Sequence, residues 1–171
     1  MNKSHVRGPA AAIALMLASL TFAPEGAAQE SGIPVGSKGP DAAMETLDGA
    51  AATLAPVIAG KPAVIEFWAT WCPNCKELEP ALMAAHKKYG DRVAFVGVAV
   101  SVNQSTERVR RYTAERMVGF THFYDRRGNA VEVYDVPATS YVVVLNKEGV
   151  VVYTGLGGKQ DIEGAIQKAL K

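Results

Sequence analysis

Hydrophobic positions in this chain alternate between short β-rich runs and stretches at helical spacing. After the Gly60-Lys61-Pro62 turn, Ala63-Val64-Ile65-Glu66-Phe67-Trp68 is nearly all apolar, as expected of a strand covered on both faces. Over 72–89 the period changes: Leu78, Leu82, Ala85 and Tyr89 recur at helical spacing, and Gly90 offers a stop. Pro80 falls inside that pattern and is expected to kink the helix. A second β-rich run follows at 93–100, so 63–100 reads as one βαβ unit with parallel strands and a right-handed crossover.

Ser105 can cap a further helix to about residue 118, although its apolar face is weak. His122-Phe123-Tyr124 reads as a short strand that ends at the turn Asp125-Arg126-Arg127-Gly128. Residues 141–145 and 150–153, joined by Asn146-Lys147-Glu148-Gly149, predict a hairpin. The chain closes on an amphipathic helix over 161–170, with Ile162, Ala165, Ile166 and Ala169 inward. Near the start, Thr46-Leu47-Asp48-Gly49 reads as a strand end and tight turn that returns through Ala52-Thr53-Leu54. Residues 29–43, rich in Gly, Pro and Ser, are expected to be a loose leader. The order implies an α/β domain over 44–171: a mixed central sheet with helices on both faces and an N-terminal β-hairpin.

The first 28 residues read as an export signal. Lys3 and Arg7 precede a 13-residue apolar run at 10–22, and Gly26-Ala27-Ala28 offers cleavage near Ala28. The run is short for a membrane-spanning helix, which needs about 20 apolar residues. Cleavage would leave 143 of the 171 residues and reduce 18 basic and 17 acidic residues to 16 of each. A neutral chain of this kind has neither a nucleic-acid-binding nor an anionic-membrane surface. The expected location is periplasmic or otherwise exported, an oxidising setting in which a disulfide persists.

Both cysteines of the chain lie in Trp71-Cys72-Pro73-Asn74-Cys75, at the start of the helix that follows the buried strand. Cys72 at a helix N-terminus has its thiolate stabilised by unpaired N–H groups and the helix dipole. Pro73 fits the first turn, where no donor is lost. Cys72 is therefore expected to be the exposed nucleophile, and Cys75, one turn in, the buried resolving thiol. Two other readings remain. A staple this short constrains little unfolded-chain entropy. A zinc site wants four ligands, and neither a second CxxC nor a convincing histidine partner is present, His86 and His122 reading as ordinary helix and strand residues. No metal is assigned.

Phe67-Trp68-Ala69-Thr70-Trp71-Cys72-Pro73-Asn74-Cys75, with Pro80 five residues on, resembles the active-site segment of the thioredoxin superfamily. The Leu47-Asp48-Gly49 hairpin and the extra 103–118 helix resemble its exported TlpA-like branch, which includes thiol reductases serving cytochrome c maturation. The resemblance implies a thiol–disulfide oxidoreductase with a thioredoxin fold and no cofactor beyond its dithiol. Its partners would be protein thiols or disulfides in the exported compartment, with a membrane electron donor. Glu66, six residues before Cys72, matches the family's buried acid, and alternation places it on the face of Val64 and Trp68. There it could take the proton of Cys75, with a pKa raised by burial and no Lys or Arg on strand 93–100 to oppose the shift. Trp71 and Pro73 would border the docking surface, while Trp68 reads as core.

One position departs from the family pattern. Tyr134-Asp135-Val136-Pro137-Ala138-Thr139-Ser140 resembles the stretch that ends in a cis-proline, and the preferred register puts Ser140 in that place. The other register makes Pro137 the cis-proline. Under the first, the bond before Ser140 is trans, Thr139 and Ser140 line the docking edge, and Ser140→Pro is expected to restore a family-like loop. A serine there also makes capture of a soft ion such as Cu(I) by Cys72 and Cys75 a rival reading.

Overall fold

The computed structural model describes Met1 and residues 32–171, so the expected signal segment lies outside the described residues. Seven strands form one sheet: β1 (Ala43–Thr46), β2 (Ala51–Thr53), β3 (Ala63–Trp68), β4 (Ala94–Val100), β5 (Thr121–Asp125), β6 (Tyr141–Leu145) and β7 (Val151–Leu156). Five helices accompany them: α1 (Ala55–Ile58), α2 (Pro73–Tyr89), α3 (Thr106–Arg116), α4 (Asn129–Val133) and α5 (Ile162–Ala169). The strand order is β2-β1-β5-β4-β3-β6-β7. β3 pairs parallel with β4, and β4 with β5, whereas β6 runs antiparallel to β3. This is the mixed sheet, with its N-terminal hairpin, expected from the sequence.

β3 is central, and all six of its residues are buried. Its alternation divides the core. Val64 and Trp68 face a cluster with Leu78 and Leu82 of α2, Val109 of α3 and Ile162 and Ile166 of α5. Ala63, Ile65 and Phe67 face the other cluster, with Val96, Val98, Leu54, Ala130 and Tyr134. Burying a leucine side chain is worth about 1.5–3 kcal/mol, so the stripe Leu78–Leu82 fixes α2 on its face of the sheet. Pro80 does not end α2, which continues as one helix to Tyr89.

The leader expectation needs correction. Within 32–42, Ile33 donates its N–H to the Tyr134 carbonyl at 3.1 Å, Gly36 to Val151 at 2.8 Å and Gly39 to Gly149 at 2.9 Å. Val151 donates back to the Ser37 carbonyl at 2.9 Å, and Lys38 bridges Val150. Gly and Pro marked the segment as irregular, but irregular backbone can still satisfy its donors against the start of β7. The short helices α1 and α4 were also not foreseen. At four and five residues they carry too little periodicity to read.

Candidate active site

The turn from β3 into α2 is built by backbone bonds that aim the cysteines. The Cys72 N–H donates to the Ala69 carbonyl at 3.1 Å, and the Thr70 N–H donates to Oε1 of Gln104 at 2.9 Å. Cys72 is the N-cap of α2 and Pro73 its exposed first residue. The cysteines are bridged, with Cα atoms 5.4 Å apart. The Cys75 N–H points at Cys72 Sγ across 3.1 Å, the donor geometry that stabilises a thiolate at a helix start. Trp71 is 38% exposed beside the pair and donates its indole N–H to the Val102 carbonyl at 2.7 Å.

The expected exposure of Cys72 is not found. In the bridged state Cys72 is 2% exposed and Cys75 5%. Cys72 belongs to the buried core cluster, and the turn before it is tied to the 102–104 loop by the Thr70 and Trp71 bonds, which spacing along the helix could not reveal. What distinguishes Cys72 is therefore its cap position and the N–H that it faces.

Glu66 is 1% exposed, and its Oε1 has no protein hydrogen-bond partner. Burial pushes its pKa up to about 8, with a further contribution from the negative charge of Glu79. Glu79 lies on α2 four residues, about one turn, past Cys75. The Tyr112 hydroxyl donates to its Oε2 at 2.7 Å, and Nε of Arg116 donates to Oε1 at 3.0 Å. The Tyr112 ring lies 5.4 Å from Trp68, which ties this cluster to the Glu66 face of β3. Sequence reasoning missed Glu79, Tyr112, Arg116 and Gln104. Its available signals were the i,i+4 spacings Cys75–Glu79 and Tyr112–Arg116.

Ser140 ends the loop before β6, at the end of β3 that launches the cysteine turn. It is fully buried, donates its N–H to the Phe67 carbonyl at 2.8 Å, and its φ is +66°. Its hydroxyl donates to the Gly157 carbonyl at 3.0 Å, and its own carbonyl accepts from Gly157 at 3.0 Å and from Nε2 of Gln160 at 3.1 Å. Thr139 beside it is half-buried, Pro137 is exposed, and no peptide bond among the described residues is cis. The expected benefit of Ser140→Pro is overturned, because proline supplies no N–H for Phe67 and its φ stays near −65°. Among the described residues no group of three or more His, Cys, Asp or Glu side chains is placed to hold a metal ion.

The Redoxin family model matches residues 34–170. The thioredoxin-like protein YneN of Bacillus subtilis is 30% identical over 138 residues, covering 79% of this chain and 80% of that protein. The thiol-disulfide oxidoreductase ResA of the same species is 29% identical over 125 residues, 73% of this chain and 69% of ResA. Among solved structures, a secreted Mycobacterium tuberculosis disulfide oxidoreductase homologous to E. coli DsbE superimposes with TM-score 0.62 at 26% identity, over 74% of this chain and 93% of that one. The thioredoxin domain of a Bacteroides vulgatus thiol-disulfide oxidoreductase superimposes with TM-score 0.68 at 19% identity, over 80% and 97%, and speaks to the fold alone. With its bridged CxxC pair at the head of α2, the chain belongs to the Redoxin family and is a TlpA-like thiol–disulfide oxidoreductase of the thioredoxin superfamily.

Proposed function

We propose that the protein is an exported reductant of protein disulfides. The Cys72 thiolate attacks one sulfur of a partner disulfide, breaking the partner S–S bond and releasing one partner thiolate. Cys75 gives its proton to ionised Glu66 and attacks Cys72 Sγ. The second partner sulfur leaves as a thiolate, and Cys72–Cys75 closes as the disulfide. Reduction of that bridge by a membrane electron donor reverses the proton transfer. No cofactor beyond the dithiol is required.

The observation that carries this reading is the buried carboxyl of Glu66, its Oε1 without a hydrogen-bond partner, on the strand that leads into the capped Cys72. A carboxyl of ordinary acidity is a poor base toward a thiol of pKa about 8.5, whereas one near 8 exchanges a proton with it at little cost. Trp71, Pro73 and Thr139 border the docking surface, whereas Ser140 is fully buried and supports the loop from beneath. The N-terminal signal reading and the secreted mycobacterial neighbour support export. Apocytochrome c cysteines or the thiols of copper sites are partners that a TlpA-like branch member would serve.

The test is the reduction potential of the Cys72–Cys75 couple, measured beside insulin reduction. A potential near that of thioredoxin, about −270 mV, with catalysed insulin reduction is expected. A value near the strongly oxidising DsbA, about −120 mV, would reverse the proposed direction.

A further inference from the structure

Trp68, on the same face of β3 as Glu66, has the Tyr112 ring of α3 at 5.4 Å and the His122 ring of β5 at 6.0 Å. Tyr112 and Arg116 of α3 bond Glu79 of α2, and Cys75 of α2 and its cap Cys72 lie in the same core cluster as Trp68. His122 arrives through register: Glu66 pairs with Gly97, and Gly97 with His122, across three parallel strands. A Cβ on Gly97 would lie 2.6 Å from Nδ1 of His122 and 3.0 Å from Nε1 of Trp68, so the missing side chain is what lets these groups approach.

Most of these groups carry no charge near neutral pH in the oxidised protein. The cysteines are bridged. Tyr112 is pushed up to about 12, first by burial and then by its bond to Glu79. Burial lowers the pKa of His122, and its Nε2 must carry the hydrogen because it faces the Met117 carbonyl at 3.1 Å. The charged pair is Glu79 with Arg116, and its members are unequally placed. The side chain of Glu79 is 11% exposed and that of Arg116 50%. Water screens the cation more than the anion, so the pair presents a net negative field toward the interior.

We infer that Glu79 is a positioning residue for the proton step, its carboxylate holding the proton on Glu66 while Arg116 sets how much of that charge Glu66 feels. The inference rests on Glu66 as the proton acceptor of the proposed function. A nearby anion raises the basicity of the Glu66 carboxylate, which makes it better able to take a proton from Cys75. Because half of Arg116 lies in water, the balance is also open to salt.

Carbon-13 NMR of the glutamate carboxyls in the oxidised protein tests this directly, with the Glu66 resonance assigned by its loss in Glu66→Gln. Glu79→Gln keeps the shape and an acceptor for Tyr112, and should lower the Glu66 midpoint by roughly one pH unit. The midpoint should stay above the ordinary carboxyl range, because burial is the larger cause. Arg116→Gln removes the counter-charge and should raise the midpoint. The opposite signs are diagnostic, since a site merely loosened by either change would admit water and lower both. An unmoved midpoint in Glu79→Gln, or a fall in both variants, overturns the inference. Arg116 is half exposed, so its variant provides a second arm if Glu79→Gln folds poorly. The bridged protein exchanges no thiols, so these midpoints stand apart from the proposed reductase activity. Failure of that activity reading would show as turnover indifferent to Glu66→Gln with the midpoint shifts intact.

Discussion

Glu66→Gln should make the protein more stable and a poorer enzyme, and the stability gain should grow with pH. Glu66 has an ordinary carboxyl pKa of 4.5 in the unfolded chain and about 8 in the fold. A carboxyl with a raised folded pKa leaves stability intact below the unfolded value and removes it as pH rises through the folded one. Each pH unit inside that window costs about 1.4 kcal/mol. The loss is on the order of 3 kcal/mol at pH 7 and approaches about 5 kcal/mol above pH 8, where Glu66 ionises in the fold as well. That is a large share of the 5–15 kcal/mol typical of a folded domain. Glutamine has nearly the same shape and never ionises. Any cost of burying its amide is independent of pH, and the other titrating groups largely cancel between the two proteins. Urea unfolding of the oxidised wild type and variant at pH 4.5, 7 and 9 reads the difference. The variant should gain little or nothing at pH 4.5, about 3 kcal/mol more at pH 7 than at pH 4.5, and more again at pH 9. A difference that does not change with pH would refute the reasoning, since Glu66 would then titrate alike in both states.

Two further outcomes follow from the site. Ser140→Pro should destabilise the domain by about 3 kcal/mol or more, because it deletes the N–H bonded to Phe67 and cannot hold φ at +66°; an unchanged melting temperature would contradict this. Cys75→Ser should accumulate a mixed disulfide at Cys72 on non-reducing electrophoresis, and Cys72→Ser should not; equal trapping by both would remove the assignment of roles.

Local order along the chain already determined much of this protein. The apolar run at β3, the helical stripe of α2 and the hairpin of β6 and β7 are patterns of neighbouring residues, and short-range sterics and burial translate them directly. The cysteine pair at the head of α2 was legible for the same reason, since strand, turn, cap and helix occupy consecutive positions. Alternation even named the face on which Glu66 lies. It could not name what packs there. Glu79, Tyr112 and Arg116 meet because α2 and α3 lie side by side on one face, with Tyr112 bonded to Glu79 across 33 positions of sequence. The tie between the cysteine turn and the 102–104 loop, the anchoring of residues 32–42 along β7 and the left-handed backbone of Ser140 likewise depend on segments distant in sequence. Such contacts are selected by the packing of whole elements, and the electrostatic setting of a buried carboxyl is a sum over that packing. The chemistry was written in adjacent residues, and its tuning was decided by the tertiary structure.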